Sequence, residues 1–159
     1  MSSDLVLRQE LVNMLMIRQA HMIFEDAVKD FPEQAINMKP APLSYSFWHL
    51  LEHIRICQAD ILDYITNPDY VAPDFPAGYW RDELLECTLA GWNTTIERFY
   101  IDRQALVDIV MHPETDLHAQ IPHAQAGHTI LREIIIVGQH NAYHIGEFGV
   151  LRQTHNLWG

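Results

Sequence analysis

Two histidines one helical turn apart lie near the end of the chain. His140 and His144 fall within residues 133–147, a stretch whose apolar residues recur with helical spacing. At about 100° per residue, His144 lies about 20° from Val137 in the middle of the apolar face, and His140 lies about 60° from it. Both imidazoles are therefore predicted to project inward from one side of a helix.

A third histidine belongs to another segment with helical spacing. His53 lies about 60° from Leu50, which is part of the apolar stripe of that segment. Inward residues of two facing helices meet in the core, where helical bundles build metal sites. His53, His140 and His144 are therefore candidate ligands of one divalent ion, with coordination positions left open for water or substrate. The pattern alone equally allows three hydrogen-bonded core histidines.

Four segments with helical spacing, separated by proline-bearing loops, must position these residues. Ser44 or Ser46 could cap the second helix, and Thr129 could cap the fourth. We expect a single all-α domain over residues 1–159, built as a four-helix bundle. The predicted helices cover approximately residues 4–31, 45–66, 80–111 and 129–153.

Individual apolar residues are given positions by the same spacing. Leu85 is expected to face inward from the third helix. The segment that follows this helix is polar and contains two prolines, and so it is predicted to be a long loop. Within that loop, Leu117 and Ile121 are expected to be buried.

Composition limits the classes of function. Of 159 residues, 48% are hydrophobic, and the net charge of −11 would repel a phosphate backbone, which disfavours nucleic acid as a partner. No stretch approaches the ~18 apolar residues of a membrane span, and the first residues do not have the pattern of a signal peptide. With two cysteines, too few for a disulfide framework, we expect a cytoplasmic protein with no membrane partner.

Several other polar residues are weaker candidates. Cys57 follows His53 by one turn and could be a ligand, although a small buried core cysteine is the favoured interpretation. Glu133 and Asp60 each lie two turns from a candidate ligand. Either could orient an imidazole or act as a base, or simply form a hydrogen bond between helices.

Three further histidines have alternative interpretations. His123 and His128 belong to the loop before the fourth helix, where they could contact a substrate or be solvated. His49, Glu52 and His53 match the His-x-x-Glu-His pattern of one protease class. That pattern would leave the two histidines of the fourth helix unexplained, and His49 is expected to lie at the rim of the stripe.

Longer motifs carry a resemblance that spans nearly the whole chain, and together they are similar to the DinB/YfiT-like family. The matching stretches are 46–55 (SFWHLLEHIR), 58–62 (QADIL), 79–80 (YW), 116–117 (DL), 121–123 (IPH), 127–133 (GHTILRE), 139–146 (QHNAYHIG) and 151–152 (LR).

The resemblance implies an up-down-down-up four-helix bundle in which His53, His140 and His144 bind a divalent metal such as nickel, zinc or iron. Two departures stand out. Glu147 takes the place of a common glutamine, and Ala124 takes the place of a common glycine. Neither is expected to touch a ligand, although both could reshape the mouth of the pocket.

Two classes of function follow. The first is a metal-dependent enzyme, a thiol S-transferase or a hydrolase, acting on a small molecule and using a low-molecular-weight thiol in the transferase case. The second is a non-catalytic metal-binding or stress-response module whose surface meets a partner. Either class of function is compatible with a homodimer. The sequence names no catalytic residue, and the thiol-transferase version rests on the family analogy alone.

Overall fold

The computed structural model describes residues 2–124 and 127–159, and in that part of the chain every regular element is helical. This confirms the predicted all-α class. The α-helices are α1 (Ser3–Met16), α2 (Phe24–Val28), α3 (Phe47–Thr66), α4 (Leu89–Met111) and α5 (Ile130–Thr154), and two short 3-10 helices cover Glu33–Ala35 and Ala77–Tyr79.

Side-chain caps fix the start of the two helices that carry the candidate ligands. The Ser46 hydroxyl accepts a hydrogen bond from the backbone N–H of His49 at the start of α3, and Thr129 accepts one from Arg132 at the start of α5. Such a cap typically contributes about 1 kcal/mol by satisfying an unpaired donor of the first turn. Both predicted cap positions, Thr129 and the Ser46 alternative, are confirmed.

The first helix is shorter than predicted. α1 ends at Met16, the next residues are not helical, and α2 begins at Phe24. The prediction of one helix reaching Phe31 was therefore wrong. The turn lets the Phe24 ring become almost completely buried and stack on Phe99 at 3.7 Å between centroids. This tertiary packing outweighs the intrinsic preference of the segment for a helix.

The third helix begins later than predicted. α4 starts at Leu89 rather than at Trp80, and the Thr88 side chain caps it. Just before this cap, the Asn37 side-chain amide bonds both the N–H and the C=O of Cys87, each at 2.8 Å. These side-chain bonds offer the backbone an alternative to helical pairing, so the helix cannot extend backwards through this point.

The buried apolar side chains of the described residues form two clusters. One joins α1 to the last turns of α3 and α4 and the start of α5. It includes Leu117 and Ile121, each 1% exposed, which confirms their predicted burial. The other is rich in aromatic rings, among them Phe47 and Phe148. Leu85 is 50% exposed because it precedes α4, so its predicted inward position was wrong.

A polar pair lies between the two clusters. On α3, Ile54 belongs to the aromatic cluster and Ile65 to the other, and Gln58 lies between them. The Gln58 side-chain N–H donates to the Phe99 carbonyl at 2.8 Å, and its oxygen accepts from Asn141 of α5 at 3.0 Å. All of these groups are buried, so the bonds specify how α3, α4 and α5 meet at the level of the candidate ligands.

α3 and α1 each pack against both α4 and α5, and α2 packs on α5. The Met14 side chain of α1 packs over Gly138 of α5, where a Cβ atom would lie 2.6 Å from Cε of Met14. Among the described residues, no helix combines the length and the apolar character needed to cross a bilayer.

Candidate metal centre

Three imidazoles come together between α3 and α5. Nε2 of His53 lies 3.3 Å from Nε2 of His140 and also 3.3 Å from Nε2 of His144. Two nitrogens that each bind one tetrahedral ion at about 2.1 Å are roughly 3.4 Å apart. The separations around His53 therefore match those of nitrogens that share an ion.

His53 is fixed in one tautomer by its neighbours. Its Nδ1 lies 2.8 Å from the backbone carbonyl oxygen of Tyr79, which can only accept a hydrogen bond. The neutral ring therefore carries its proton on Nδ1, and Nε2 presents a lone pair to the other two imidazoles. The Trp80 ring stacks on the His53 ring, with 4.0 Å between the ring centroids and 6° between the ring planes, and holds its orientation. Both supports come from the loop between α3 and α4.

His144 is fixed in the same way by a residue of its own helix. Its Nδ1 lies 2.8 Å from Oε2 of Glu147, and the other oxygen of this carboxylate accepts a hydrogen bond from the Tyr45 hydroxyl. Burial alone would raise the pKa of Glu147, but the bonds from His144 and Tyr45 outweigh it and lower that pKa. Glu147 was not expected to touch a ligand, but it bonds His144, one of the candidate ligands, directly.

His140 is the least supported of the three rings. Its buried Nδ1 has no hydrogen-bond partner among the described residues. Burial lowers the pKa of His140 to about 4, and the neighbouring His144 and His53 add to this effect. Burial also lowers the pKa of His53, against a smaller opposite effect of the bond to Tyr79. Both rings are therefore neutral at pH 7, which is the form that binds a metal.

Cys57 lies next to His53, as its position one turn later on α3 indicated. Its Sγ lies 3.6 Å from Nδ1 and 3.8 Å from Nε2 of His53. His53, Cys57 and His140 form a group that could hold a metal ion, with ligand atoms within 4.8 Å of one another. Burial, with a contribution from Asp60, raises the pKa of the Cys57 thiol to about 12. Without a nearby cation the sulfur therefore stays protonated.

The two acidic candidates bond to residues other than the three imidazoles. The buried Glu133 pairs with Arg132 and lies 3.5 Å from Nδ1 of His128. Asp60 accepts from the hydroxyls of Tyr70 at 2.8 Å and Tyr79 at 3.1 Å. Asp60 thus reaches the site only indirectly, since the Tyr79 backbone supports His53.

The loop histidines contact Tyr64 rather than the three imidazoles. Nε2 of His123 lies 2.6 Å from the Tyr64 carbonyl oxygen, and Nδ1 of His128 lies 3.1 Å from the Tyr64 hydroxyl. These contacts hold the loop against α3. Both histidines therefore have structural contacts instead of the expected solvated position.

The protease pattern is not assembled. His49 is 1% exposed, so its predicted rim position was wrong. Its Nδ1 contacts Ser46 at the helix cap, and its Nε2 lies 3.0 Å from the Asp82 carbonyl oxygen. Glu52 is paired with Arg55 and Arg81. His49 and Glu52 are therefore both engaged in structural contacts.

Helical spacing did not identify the supporting residues of the site, although residues 79–80 were among the motifs that carried the family resemblance. Tyr79 and Trp80 lie in a loop without periodicity, and Tyr45 precedes α3, so no spacing rule links any of them to a histidine. The bond from His144 to Glu147 could have been found, since residues three apart are neighbours on a helix.

The protein is thus all-helical over its described residues, with a cluster of three histidines between two of its helices. The family model of the DinB superfamily matches residues 16–148, and the protein belongs to this superfamily. This confirms the resemblance noted from the motifs. Neither the curated proteins nor the solved structures contain a match to the chain.

Proposed function

We propose that this protein binds a divalent metal ion through Nε2 of His53, His140 and His144. The main support for this proposal is that the Nε2 atoms of His53 and His144 face each other with their lone pairs. His53 and His144 each use Nδ1–H toward an oxygen acceptor, so their Nε2 atoms, 3.3 Å apart, both lack a proton in the neutral rings. Two lone pairs at this distance repel each other, and a cation between them removes the repulsion.

Cys57 offers a different third ligand. A set of His53, Cys57 and His140 would combine two nitrogens with a soft sulfur, and all four side chains together would close the site. The two separations of 3.3 Å between Nε2 of His53 and Nε2 of His140 and His144 support the set of three histidines. The Cys57 sulfur is no closer to the nitrogen of His53 that faces the imidazoles than to the one that faces Tyr79.

We propose further that the site is catalytic and acts on a small molecule by thiol S-transfer or hydrolysis. When bound, a divalent ion with open positions supplies Lewis acidity toward a thiol, a water or a carbonyl. The chain's own residues orient the imidazoles and leave one side accessible, since the side chains of His144 and Glu147 are 14% and 26% exposed. A fully closed site would instead favour a non-catalytic binding or stress-response module.

Imidazole donors suit zinc, nickel and iron, and these are the metals proposed here. A low-molecular-weight thiol is the proposed co-substrate of the transferase version, on the strength of the resemblance to the family.

A cytoplasmic location and a homodimer remain parts of the same proposal. Both cysteines are free thiols, which suits a reducing compartment.

We propose an up-down-down-up bundle of α1, α3, α4 and α5, forming one domain over residues 1–159. In this arrangement α3 runs against α5 and along α4, whereas α1 runs against α4. The supporting contacts are His53–His144 and Gln58–Asn141 for α3 and α5, Trp48–Thr95 and Gln58–Phe99 for α3 and α4, and Arg8–Val110 and Arg103–Leu15 for α1 and α4.

Metal analysis of purified variants tests the metal proposal. The wild-type protein, dialysed against buffered zinc, nickel or iron, is expected to retain about one ion per chain. His53→Ala and His144→Ala should each retain none, while His118→Ala, which removes an exposed histidine outside the site, should match the wild type. Equal metal content in all four proteins would contradict the proposal.

Activity is tested separately with the metal-loaded protein. A panel of thiol-transfer and hydrolysis substrates should reveal turnover that is lost in His144→Ala and kept in His118→Ala. No turnover with any of the three metals, together with full metal occupancy, would favour the binding module over the enzyme.

A further inference from the structure

The carboxylate of Glu147 connects two parts of the chain that are far apart in sequence. Its Oε2 lies 2.8 Å from Nδ1 of His144, one turn earlier on α5. Its Oε1 accepts a hydrogen bond from the hydroxyl of Tyr45, which lies 102 positions away and directly before the cap of α3. Both oxygens of this partly buried group are therefore engaged.

These contacts determine which nitrogen of His144 is free. A carboxylate can only accept hydrogen bonds, so in the neutral ring Nδ1 carries the proton and Nε2 is left bare toward His53. The Tyr79 carbonyl does the same for His53. The two supports differ in charge, because the carbonyl is neutral whereas Glu147 places a negative charge next to the ring.

Tyr45 supports both halves of the site. Its hydroxyl holds Glu147, and its ring packs against Trp80 at 5.1 Å between centroids. Trp80 in turn stacks on His53. One tyrosine is thus linked to a candidate ligand of α5 through a carboxylate and to a candidate ligand of α3 through an aromatic ring.

We propose that Glu147, held by Tyr45, is a positioning residue that fixes His144 as the Nδ1–H tautomer and strengthens cation binding through its negative charge. The tautomer part stands without a metal, whereas the affinity part rests on the proposed function. Carboxylates that accept from a ligating imidazole raise its basicity, and their loss typically weakens metal binding about 10–100-fold.

Two substitutions separate orientation from charge. Glu147→Gln keeps an oxygen that can accept from His144 and an amide that can donate to Tyr45, but it removes the charge. Glu147→Leu removes both the acceptor and the charge at similar size. Tyr45→Phe removes the bond to Glu147 while it keeps the ring against Trp80. Glu97→Gln, at an exposed position of α4, is a control for the change in net charge.

The experiment has two readouts on the same proteins. Nitrogen-15 NMR of the imidazole rings in the metal-free protein reports the His144 tautomer, and competition with a chromophoric chelator reports zinc affinity. We expect Nδ1–H in the wild type, Glu147→Gln and Glu97→Gln, and a mixture of tautomers in Glu147→Leu. Zinc affinity should fall about 10–100-fold in Glu147→Leu and by less in Glu147→Gln and Tyr45→Phe.

The outcomes test the positioning role of Glu147 and the metal proposal separately. An unchanged tautomer in a folded Glu147→Leu protein, or unchanged affinity in both Glu147 variants, would overturn the positioning role. If Glu147→Leu does not fold, the affinities of Glu147→Gln and Tyr45→Phe decide instead. A wild-type protein that binds no zinc would refute the metal proposal, and the His144 tautomer would then decide the positioning role alone.

Discussion

Nε2 of His53 lies 3.3 Å from Nε2 of His144, a residue 91 positions further along the chain. In each ring the opposite nitrogen faces an oxygen acceptor, the Tyr79 carbonyl for His53 and the Glu147 carboxylate for His144. In the neutral rings the two facing nitrogens therefore both offer lone pairs. This arrangement connects the tautomers of two rings with the proposed metal.

Removal of the metal should destabilise the protein. A ligand that binds only the folded state stabilises it by about 2.7 kcal/mol when its free concentration is about a hundred times Kd. Thermal unfolding with and without a chelator at pH 7.5 should therefore give a lower Tm in the chelated sample. The His53→Ala variant should show no such difference, and identical curves for the wild type would contradict an occupied site.

The metal-free protein should lose stability as the pH falls from 7 to 5. His140 has a folded-state pKa of about 4, below the ordinary value of about 6.5, so the unfolded chain binds a proton that the folded protein does not. Its stabilising contribution is complete above about pH 6.5 and is lost toward pH 4. After allowance for partial exposure of the ring, the loss by pH 5 should be about 1 kcal/mol.

Urea unfolding of chelated protein at pH 7 and pH 5 measures this loss. His140→Gln removes the titrating group and should show a smaller change in the free energy of unfolding between the two pH values. His118→Ala is the matched control and should follow the wild type. Parallel behaviour of the wild type and His140→Gln would contradict the lowered pKa of His140.

Cys57 should not be needed for metal binding. Its sulfur is nearly equidistant from the two nitrogens of His53, so Cys57→Ala is expected to keep one zinc ion per chain, whereas His144→Ala should lose it. Metal analysis of the two variants distinguishes the ligand sets. Retention by His144→Ala and loss by Cys57→Ala would assign the metal to His53, Cys57 and His140.

Helical spacing predicted much of the candidate site. The periodicity was sufficient to place His53, His140 and His144 toward the interior, because a regular helix relates every residue on it to the apolar face. It could not predict Tyr79 and Trp80, whose positions depend on a loop closing over α3. Position in a loop depends on long-range contacts rather than on local spacing.

Helix ends could likewise be predicted only where neighbouring residues determine them. Ser46 and Thr129 could be identified as caps because the capping side chain lies next to the helix that it caps. The end of α1 at Met16 has no proline or glycine to mark it, and the late start of α4 involves Asn37, fifty positions before Cys87. Interactions between distant segments determine those two boundaries.

The polar pair between the apolar clusters should contribute to stability. Asn141→Ala would leave the buried Gln58 oxygen without its donor, which costs about 1–3 kcal/mol in the free energy of unfolding. Asn93→Ala, at an exposed position of α4, should change it by less than about 0.5 kcal/mol. Urea unfolding measures both, and equal effects would contradict a structural role for the pair.

X-ray absorption at the zinc edge of the zinc-loaded protein measures whether three imidazole nitrogens bind one divalent ion. We expect a first shell of nitrogen and oxygen atoms at about 2.0–2.1 Å, imidazole scattering from three rings, and no sulfur at about 2.3 Å. A shell without imidazole scattering, or one that contains a sulfur atom at about 2.3 Å, would contradict this expectation.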